Sequence, residues 1–265
     1  MPRFRHRPLL SALLALASCT APPPEQTVAW PQGAGPKGNW TAVGPEPPLH
    51  FSAATGNNIR WRTPLPETGQ GGIAVAAGRL FLTTMAPWNG EPLSASDAEL
   101  YAHAIEKRKV VGKHIDALCL DAASGEILWT RRIEGEVPSI YSYPFSDATS
   151  ASPVATTDHV WFTNAGGQVV CFTHGGDLVW QRRFHPTYDG PFNKQFEPFV
   201  VEDPARGYGS RTFVHMEPFA VGSGARWHLM VGLDAATGAE LWRSTDALTQ
   251  YNAPILVATE DGPCV

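Results

Sequence analysis

Residues 120–129, LDAASGEILW, decide the fold because the same pattern returns along the chain. It recurs as LDAATGAELW at residues 233–242 and, in degenerate form, as CFTHGGDLVW at residues 171–180. In these three copies a glycine stands four residues before a tryptophan, and TGNNIRW at residues 55–61 is a looser relative. Internal repetition of this kind is typical of folds built from stacked supersecondary units.

The repeat has the chemistry of a β-hairpin. An apolar strand ends at an aspartate, a tight turn follows in which glycine can adopt positive φ, and a second strand ends on the tryptophan. The residues that define the repeated hairpins are Asp121, Gly125, Trp129, Gly176, Trp180, Asp234, Gly238 and Trp242. We interpret them as architectural residues, since core packing explains a recurring tryptophan without any ligand.

A second strand–turn–strand element alternates with the first. It occupies residues 72–84 and 151–163, and a third copy starts at residues 253–262. One hairpin of each kind makes a four-stranded antiparallel sheet, which is the blade of a β-propeller. The sequence therefore predicts an all-β fold in which residues 39–265 form an incomplete β-propeller of about three blades plus part of another. A propeller removes its sheet edges by closing on itself, so we expect this chain to be a piece of a longer protein.

These hairpins resemble the tryptophan-docking repeats of the quinoprotein-like (PQQ-binding-like repeat) propeller family. Residues 30–39 resemble the opening segment of such proteins and residues 59–66 the strand that follows it, so the resemblance covers about residues 30–265. It implies that each repeat tryptophan packs across the seam between neighbouring blades. It leaves the function open, because one fold can serve many functions.

Two insertions lengthen the repeats. Successive repeat tryptophans are 68, 51 and 62 residues apart, compared with roughly 40–50 residues for a usual blade. Residues 94–111 contain a capping box from Ser96 to Glu99, followed by apolar residues at helical spacing, and this predicts a short helix. Residues 185–216 are rich in glycine, proline and aromatic residues, and they predict a long irregular loop.

The N-terminal residues 1–19 are typical of a lipoprotein signal peptide. Basic residues precede an apolar run at residues 9–17, which is too short to span a bilayer. The run leads into LASC, which matches a bacterial lipobox and predicts lipid attachment at Cys19; an ordinary signal peptide with a nearby cysteine is the alternative. Thr20, where aspartate would favour the inner membrane, favours the outer membrane. Residues 20–38 are rich in proline and glycine and predict an extended tether.

No residue set is expected to be catalytic or to bind a metal. We interpret Cys119 and Cys171 as strand residues of separate blades, and cysteine–histidine clusters at zinc spacing do not occur. PQQ-dependent dehydrogenases resemble this chain in their repeats, but they carry adjacent cysteines beside the quinone and a calcium-binding set. This chain has no adjacent cysteines, so no cofactor is expected. The groupings His215-Met216-Glu217 and His103 with Glu106 are interpreted as surface features.

The net charge and the N-terminal signal limit the classes of partner that are expected. The net charge is −5, and an acidic protein repels phosphate backbones, so no nucleic-acid partner is expected. The chain is expected to face the periplasm, held at the membrane by its lipid and accessible to other envelope proteins. The favoured function is a non-catalytic protein-binding or assembly scaffold, by analogy with the propeller lipoprotein of the outer-membrane protein assembly machinery. A fragment of a PQQ-dependent oxidoreductase and a periplasmic sensor or polysaccharide-binding propeller are the alternatives.

Overall fold

The fold comes from a computed structural model, which describes residues 29–41, 46–87, 110–136, 139–140, 147–184, 197–202, 204–221, 225–244, 257–259 and 262–264. Within these residues the regular structure consists of β-strands and one short 3₁₀ helix at Pro204–Arg206. This part of the chain contains no helix with the length and apolar character needed to cross a membrane.

The first sheet is called blade 1. Its region contains β1 (Ala74–Ala76), β2 (Arg79–Met85), β3 (Val110–Gly112), β4 (Ile115–Asp121), β5 (Ile127–Ile133) and β6 (Ser139–Ile140). Blade 1 has the antiparallel order β1-β2-β4-β5, and β3 pairs separately with β6. The helix predicted at residues 94–111 lies outside the described residues except for its last two positions, which belong to β3.

Two further sheets repeat this arrangement. Blade 2 consists of β7 (Val154–Ala155), β8 (His159–Asn164), β9 (Gln168–Thr173) and β10 (Leu178–Arg183), and blade 3 of β11 (Phe199–Glu202), β12 (Arg211–Val221), β13 (Ala225–Asp234) and β14 (Glu240–Arg243). Within each of these two blades, neighbouring strands in the sequence pair antiparallel with each other. A two-stranded hairpin of β15 (Val257–Thr259) and β16 (Gly262–Cys264) follows. The predicted all-β architecture of four-stranded antiparallel blades is confirmed.

The repeated turns form as the sequence predicts. Oδ1 of Asp121 accepts hydrogen bonds from the backbone N–H groups of Ala123 at 3.0 Å and Ser124 at 2.8 Å. Gly125 has φ +76° and donates its N–H to the Asp121 carbonyl at 2.8 Å. The aspartate therefore satisfies the backbone groups of the turn while glycine supplies the left-handed conformation. The turn at Asp234 has the same bonds, because its Oδ1 accepts from the N–H groups of Ala236 at 3.0 Å and Thr237 at 2.9 Å.

The blades pack face to face, and blade 2 contributes to both seams. Val160 and Phe162 of β8 are buried in the cluster shared with blade 1, while Trp161 between them is buried in the cluster shared with blade 3. Side chains alternate between the two faces of a strand, so one strand can fill two cores. The Trp161 ring stacks on Phe213 of β12, with a centroid distance of 5.8 Å and an angle of 20°.

Blade 3 shows that the sequence prediction of an irregular loop at residues 185–216 is wrong in part. Residues 185–196 lie outside the described part, but β11 and the beginning of β12 fall within the predicted loop. Phe199 and Phe213, two of the aromatic residues that suggested a loop, are both buried. Burial in a sheet removes their apolar surface from water, which outweighs the local turn signals.

Residues 29–38 belong to the folded domain, which corrects the predicted tether for this stretch. Trp30 exchanges two backbone hydrogen bonds with Val75 of β1, at 3.0 and 2.8 Å, and the Pro31 carbonyl accepts one from Ala155 of β7 at 2.7 Å. The buried Gln32 accepts a bond from the backbone N–H of Val200 in β11 at 3.2 Å. This segment, which we call the N-terminal clip (residues 30–32), therefore contacts the first strand of all three blades. Residues 20–28 lie outside the described part.

Candidate functional site

Each seam is closed by a tryptophan that reaches the turn of the next blade. Trp129, on the last strand of blade 1, donates its Nε1–H to the carbonyl of His174 at 2.9 Å. Its ring lies against Gly176, which has φ +85° and no side chain, so that an added Cβ would lie 3.0 Å from the ring. The ring can approach the turn closely only because the position is glycine.

The same contact occurs at the seam between blades 2 and 3. Trp180 donates its Nε1–H to the Ala235 carbonyl at 3.0 Å. A Cβ on Gly238 would lie 2.7 Å from the Trp180 ring. The looser repeat at residues 55–61 takes part as well, because Trp61 donates to the Ala122 carbonyl at 3.1 Å and covers the turn of blade 1. Five of the predicted repeat residues, together with Trp61, thus form three pairs, namely Trp61 with Gly125, Trp129 with Gly176 and Trp180 with Gly238.

Trp242 differs from the other repeat tryptophans. The sequence predicts a buried seam residue, whereas its side chain is 41% exposed. Its ring lies against Gly232 of its own blade. The burial prediction is therefore wrong for Trp242 within the described residues, because a tryptophan at the end of a blade is buried only by a neighbouring turn.

Charged pairs reinforce the seam between blades 2 and 3. Glu217 of β12 accepts a hydrogen bond from Nε of Arg182 in β10 at 3.0 Å and from Nη2 of Arg243 in β14 at 2.7 Å. Arg182 also binds Glu240 at 2.7 Å. Burial by itself would raise the pKa of Glu217, but the nearby His215 and the hydrogen bonds from Arg243 and Arg182 outweigh it and lower that pKa to about 2. Glu217 is therefore ionised at neutral pH and links two blades.

His215 and Glu217 are buried, which shows that their interpretation as surface features is wrong. The exposed fractions are 1% for His215 and 6% for Glu217. Burial lowers the pKa of His215 more than the nearby Glu217 raises it. The imidazole packs between the rings of Phe184 and Phe213, with centroid distances of 5.7 and 5.8 Å. The second grouping, His103 with Glu106, lies outside the described residues.

The outer strand of each blade exposes apolar side chains. Each of these strands carries two neighbouring apolar residues that are 36–55% exposed, which we call the outer apolar pairs: Ile127 and Leu128 in β5, Leu178 and Val179 in β10, and Leu241 and Trp242 in β14. In the described sheets, β5, β10 and β14 each pair with a strand on one side only. Each outer strand therefore combines an apolar surface with an unpaired backbone edge.

A groove adjoins the outer apolar pair of blade 2. It has a volume of about 360 Å³ and lies between β5 and the last two strands of blade 2. Leu178 contributes apolar surface, while Arg131 and Arg183 contribute positive charge. Arg183 binds Glu134 at 2.7 Å, and Arg131 donates to the Gly176 carbonyl at 2.8 Å. These contacts hold the guanidinium groups in place along the groove.

Two observations on the described residues concern metal-binding groups and cysteines. They include no group of three or more His, Cys, Asp or Glu side chains that could hold a metal ion. Cys119 and Cys171 are free, buried and in different blades, as the sequence predicts. Burial raises the pKa of Cys119, and it raises that of Cys171 to about 12.

A comparison with known protein families identifies the family to which the repeats belong. Residues 114–262 match the model of a PQQ-repeat family described as outer membrane protein assembly factor BamB. The chain belongs to this BamB family. The match includes the repeat hairpins at residues 120–129, 171–180 and 233–242, so the family resemblance inferred from these hairpins is confirmed.

Solved structures with a similar arrangement include two propeller proteins. Quinohemoprotein alcohol dehydrogenase from Comamonas testosteroni is 13% identical with a TM-score of 0.36, and the alignment covers 67% of this chain and 21% of that chain. BamB from Moraxella catarrhalis is 17% identical with a TM-score of 0.29, over 74% of this chain and 70% of that chain. The chain thus spans only a minor part of the dehydrogenase. No curated protein sequence matches it.

Proposed function

We propose that this chain is a non-catalytic scaffold of the bacterial cell envelope that binds partner proteins during the assembly of outer-membrane proteins. The name of its family supports the assembly role. The observation that carries the proposal is the set of outer apolar pairs, which lie directly before the repeat tryptophan in blades 1 and 2 and one residue later in blade 3.

The outer apolar pairs have the properties of a protein-binding surface. Proteins usually protect an exposed strand edge with charge, and an unprotected apolar edge attracts another chain. Here the charged residues follow the apolar pairs along the strand, as in Leu178-Val179 before Arg182 and Arg183. An extended partner segment could add its backbone to such an edge while its side chains cover the apolar pair. The arginines in the groove would favour a partner segment that also carries acidic residues.

The seams supply the rigidity that a scaffold requires. The tryptophan contacts and the Arg182–Glu217 pair fix neighbouring blades to each other. A surface that is already ordered loses less conformational entropy when a partner binds. The outer strands of successive blades can therefore present a fixed set of binding edges.

We further propose that the scaffold is a lipoprotein that faces the periplasm. The lipobox ending at Cys19 supports lipid attachment, and Thr20 supports retention at the outer membrane. Several acyl chains on one cysteine would anchor the protein stably, since each buried methylene contributes about 0.8 kcal/mol. Such an anchor would keep the outer strands close to the proteins that are being assembled.

Site-specific photo-crosslinking in cells of the native bacterium tests the scaffold proposal. The full-length protein would carry p-benzoylphenylalanine at Leu128 or Leu178, with the exposed turn residue Ala123 as the control position. We expect adducts from the two outer-strand positions that contain outer-membrane β-barrel proteins or the proteins that insert them, as identified by mass spectrometry. Absence of such adducts, or the same adducts from position 123, contradicts the proposal.

A matched pair of variants then tests the apolar character of the surface. Leu128→Asn removes an apolar side chain from β5, and Thr130→Asn places the same amide two residues further along the same strand. Both positions are exposed, so neither change should lower the unfolding temperature appreciably. We expect Leu128→Asn to reduce the amount of crosslinked partner from position 178 several-fold and Thr130→Asn to leave it unchanged. Equal effects of the two variants would show that the apolar pair is not the contact.

A further inference from the structure

The groove between β5 and blade 2 runs along the outer strands. Leu178, the first residue of β10, lines the groove next to the turn of blade 2, and Arg183, the last residue of β10, lines it further along. Arg131 of β5 bonds to Gly176 in that turn, so it lies near the same end as Leu178. The groove thus follows the direction that a strand added to β5 would take.

The arginines that line the groove differ in their charge partners. Arg132 binds the carboxylate of Asp116 at 2.6 Å, and Arg183 binds that of Glu134 at 2.7 Å. Arg131 has no carboxylate partner among the described residues, since its printed hydrogen bonds go to backbone carbonyls. A carbonyl oxygen accepts a hydrogen bond but carries no net charge, so the positive charge of Arg131 is not neutralised there.

Arg131 is fixed in place and remains accessible. Its Nε donates to the Gly176 carbonyl at 2.8 Å and its Nη1 to the Thr130 carbonyl at 3.0 Å, and the guanidinium carbon lies 5.7 Å from the centre of the Trp129 ring. The side chain is nevertheless exposed. A guanidinium group has five N–H donors, so three of them can bind an acceptor on a partner. A side chain that is already ordered loses less entropy when it binds.

The geometry of a strand determines which partner residues reach the groove. In the described sheet, β5 pairs with β4 alone and its other edge is free. Trp129 and Arg131 both bond to blade 2, so alternate residues of β5 face the groove side. A strand added to this edge would direct every second side chain to the same side, at intervals of about 6.6–6.8 Å.

Two kinds of side chain fit this end of the groove. A carboxylate would form charge-assisted hydrogen bonds with the free N–H groups of Arg131, whereas an ammonium group would be repelled by it. An apolar side chain would cover Leu178, which is 55% exposed, and remove its surface from water. The two side chains reach the groove together only if one residue separates them, because adjacent residues of a strand point to opposite faces.

We propose that the groove recognises an extended partner segment in which one residue separates an acidic residue from an apolar residue. The segment pairs with the free edge of β5, its carboxylate binds the guanidinium of Arg131, and its apolar side chain covers Leu178. This inference rests on the proposed scaffold function, and it adds the spacing in the partner and the residue that reads it.

Fluorescence anisotropy of labelled decapeptides with the full-length protein tests the spacing. The spaced peptides carry one glutamate and one leucine separated by one threonine, in both orders, because a strand can add in either direction. The adjacent peptides have the same composition with the glutamate and leucine side by side, and further peptides replace the glutamate of the spaced peptides by glutamine. We expect at least one spaced peptide to bind about threefold to fivefold more tightly than its adjacent and glutamine controls. Equal binding of spaced and adjacent peptides, or no binding by any peptide, overturns the proposal.

Variants of Arg131 locate the contact. We expect Arg131→Gln to remove the preference for glutamate over glutamine and Arg131→Lys to keep it, because lysine retains the charge. Arg62→Gln removes the same charge from an exposed position outside the groove, and it should leave the preference unchanged. A preference that survives in Arg131→Gln, or that is lost equally in Arg62→Gln, overturns the assignment to Arg131.

A reversal of the charge gives the sharpest result. We expect Arg131→Glu to bind a spaced peptide with lysine in place of glutamate more tightly than the wild type does, and to bind the glutamate peptide less tightly. Thermal denaturation shows whether this variant is folded, and if it is not, the comparison of Arg131→Gln with Arg131→Lys still decides. A folded Arg131→Glu that still prefers glutamate overturns the proposal.

The crosslinking experiment separates this inference from the scaffold function. Assembly-protein adducts from position 178, together with equal binding of the spaced and adjacent peptides, would retain the scaffold and overturn the spacing. Absence of such adducts, together with a preference for a spaced peptide that depends on Arg131, would overturn the scaffold and support the recognition of acidic segments by the groove.

Discussion

The indole N–H of Trp129 in blade 1 donates to the carbonyl oxygen of His174 in blade 2 at 2.9 Å, so one hydrogen bond joins two sheets. The side chain is 8% exposed and also contacts Phe172 of blade 2, with a ring-centroid distance of 5.9 Å. The hydrogen bond and the apolar contact lie on the same ring. A change at this residue therefore affects the seam in two separable ways.

Truncation of Trp129 should destabilise the protein strongly. We expect Trp129→Ala to lower the free energy of unfolding by about 3–5 kcal/mol, since it leaves a cavity in the seam. Trp242→Ala is the matched control, because Trp242 occupies the same repeat position but is 41% exposed. Its cost should stay below about 1.5 kcal/mol. Urea denaturation of the full-length chain measures both, and equal losses would contradict the distinction between the two residues.

Replacement of Gly238 by alanine should destabilise the protein by more than the backbone strain of a left-handed alanine alone. Gly238 has φ +73°, and Gly56, with φ +78°, has nothing within 4 Å of an added Cβ. Both alanine variants would pay about 1–2 kcal/mol for the left-handed conformation. Gly238→Ala must also displace the Trp180 ring, which adds about 1–3 kcal/mol. Thermal denaturation of the two variants should show a clear difference, and similar melting temperatures would mean that the turn moves freely away from Trp180.

The ionised form of Glu217 should stabilise the fold at neutral pH. Its pKa is lowered to about 2 from the ordinary value of 4.5 for a glutamate, which corresponds to stabilisation on the order of 3 kcal/mol. Because the folded-state pKa is the lower one, this stability is present above pH 4.5 and is lost as the pH falls towards 2. Unfolding free energies of the wild type and Glu217→Gln, measured from pH 7 to pH 2, should therefore converge at low pH.

Glu202→Gln is the control for the Glu217 prediction. Glu202 also pairs with an arginine, Arg211 at 2.8 Å, but its side chain is 66% exposed. Exposed ion pairs contribute little, because water and salt screen them. We expect a change of less than about 1 kcal/mol at any pH. A difference between wild type and Glu217→Gln that stays constant from pH 7 to pH 2 would show that ionisation of Glu217 is not the cause.

Cys19 should carry the lipid if residues 1–19 are a lipoprotein signal. Cys19→Ala should abolish labelling with radioactive palmitate in growing cells and leave an unprocessed precursor. Cys264→Ser changes another cysteine and should leave labelling and processing intact. Normal cleavage and release of soluble Cys19→Ala protein would indicate an ordinary signal peptide and would overturn the anchor.

The blades could be predicted because short, continuous stretches of the sequence specify their turns. The turn at Asp121 is specified by a carboxylate, a hydroxyl and a glycine within five residues, and the same local chemistry returns at Asp234. The Trp129 seam could be inferred through the family resemblance, since the partner turn lies 45 residues away. The spacing of residues in the sequence does not by itself indicate that Trp129 and this turn are in contact.

The parts that sequence reasoning missed depend on contacts between distant residues. Phe199 and Phe213 lie in a stretch without a repeat, and their strands are defined by pairing in blade 3. His215 and Glu217 gave no signal of burial, because Glu217 is compensated by Arg182, which lies 35 residues earlier in another blade. The outer apolar pairs had a visible signal, since two apolar residues precede Trp129 and two precede Trp180.

The N-terminal clip at residues 30–32 sets the reach of the proposed membrane attachment. Trp30 is the first described residue that bonds to the blades, and it lies eleven positions after Cys19, the proposed site of the lipid. Even a fully extended chain of that length spans at most about 40 Å. The segment from Cys19 to Trp30 would thus hold the first strands of the blades within about 40 Å of the bilayer surface. The protein could turn over and sample many orientations there, but it could not travel freely across the periplasm, so any partner would have to come to the membrane to meet it.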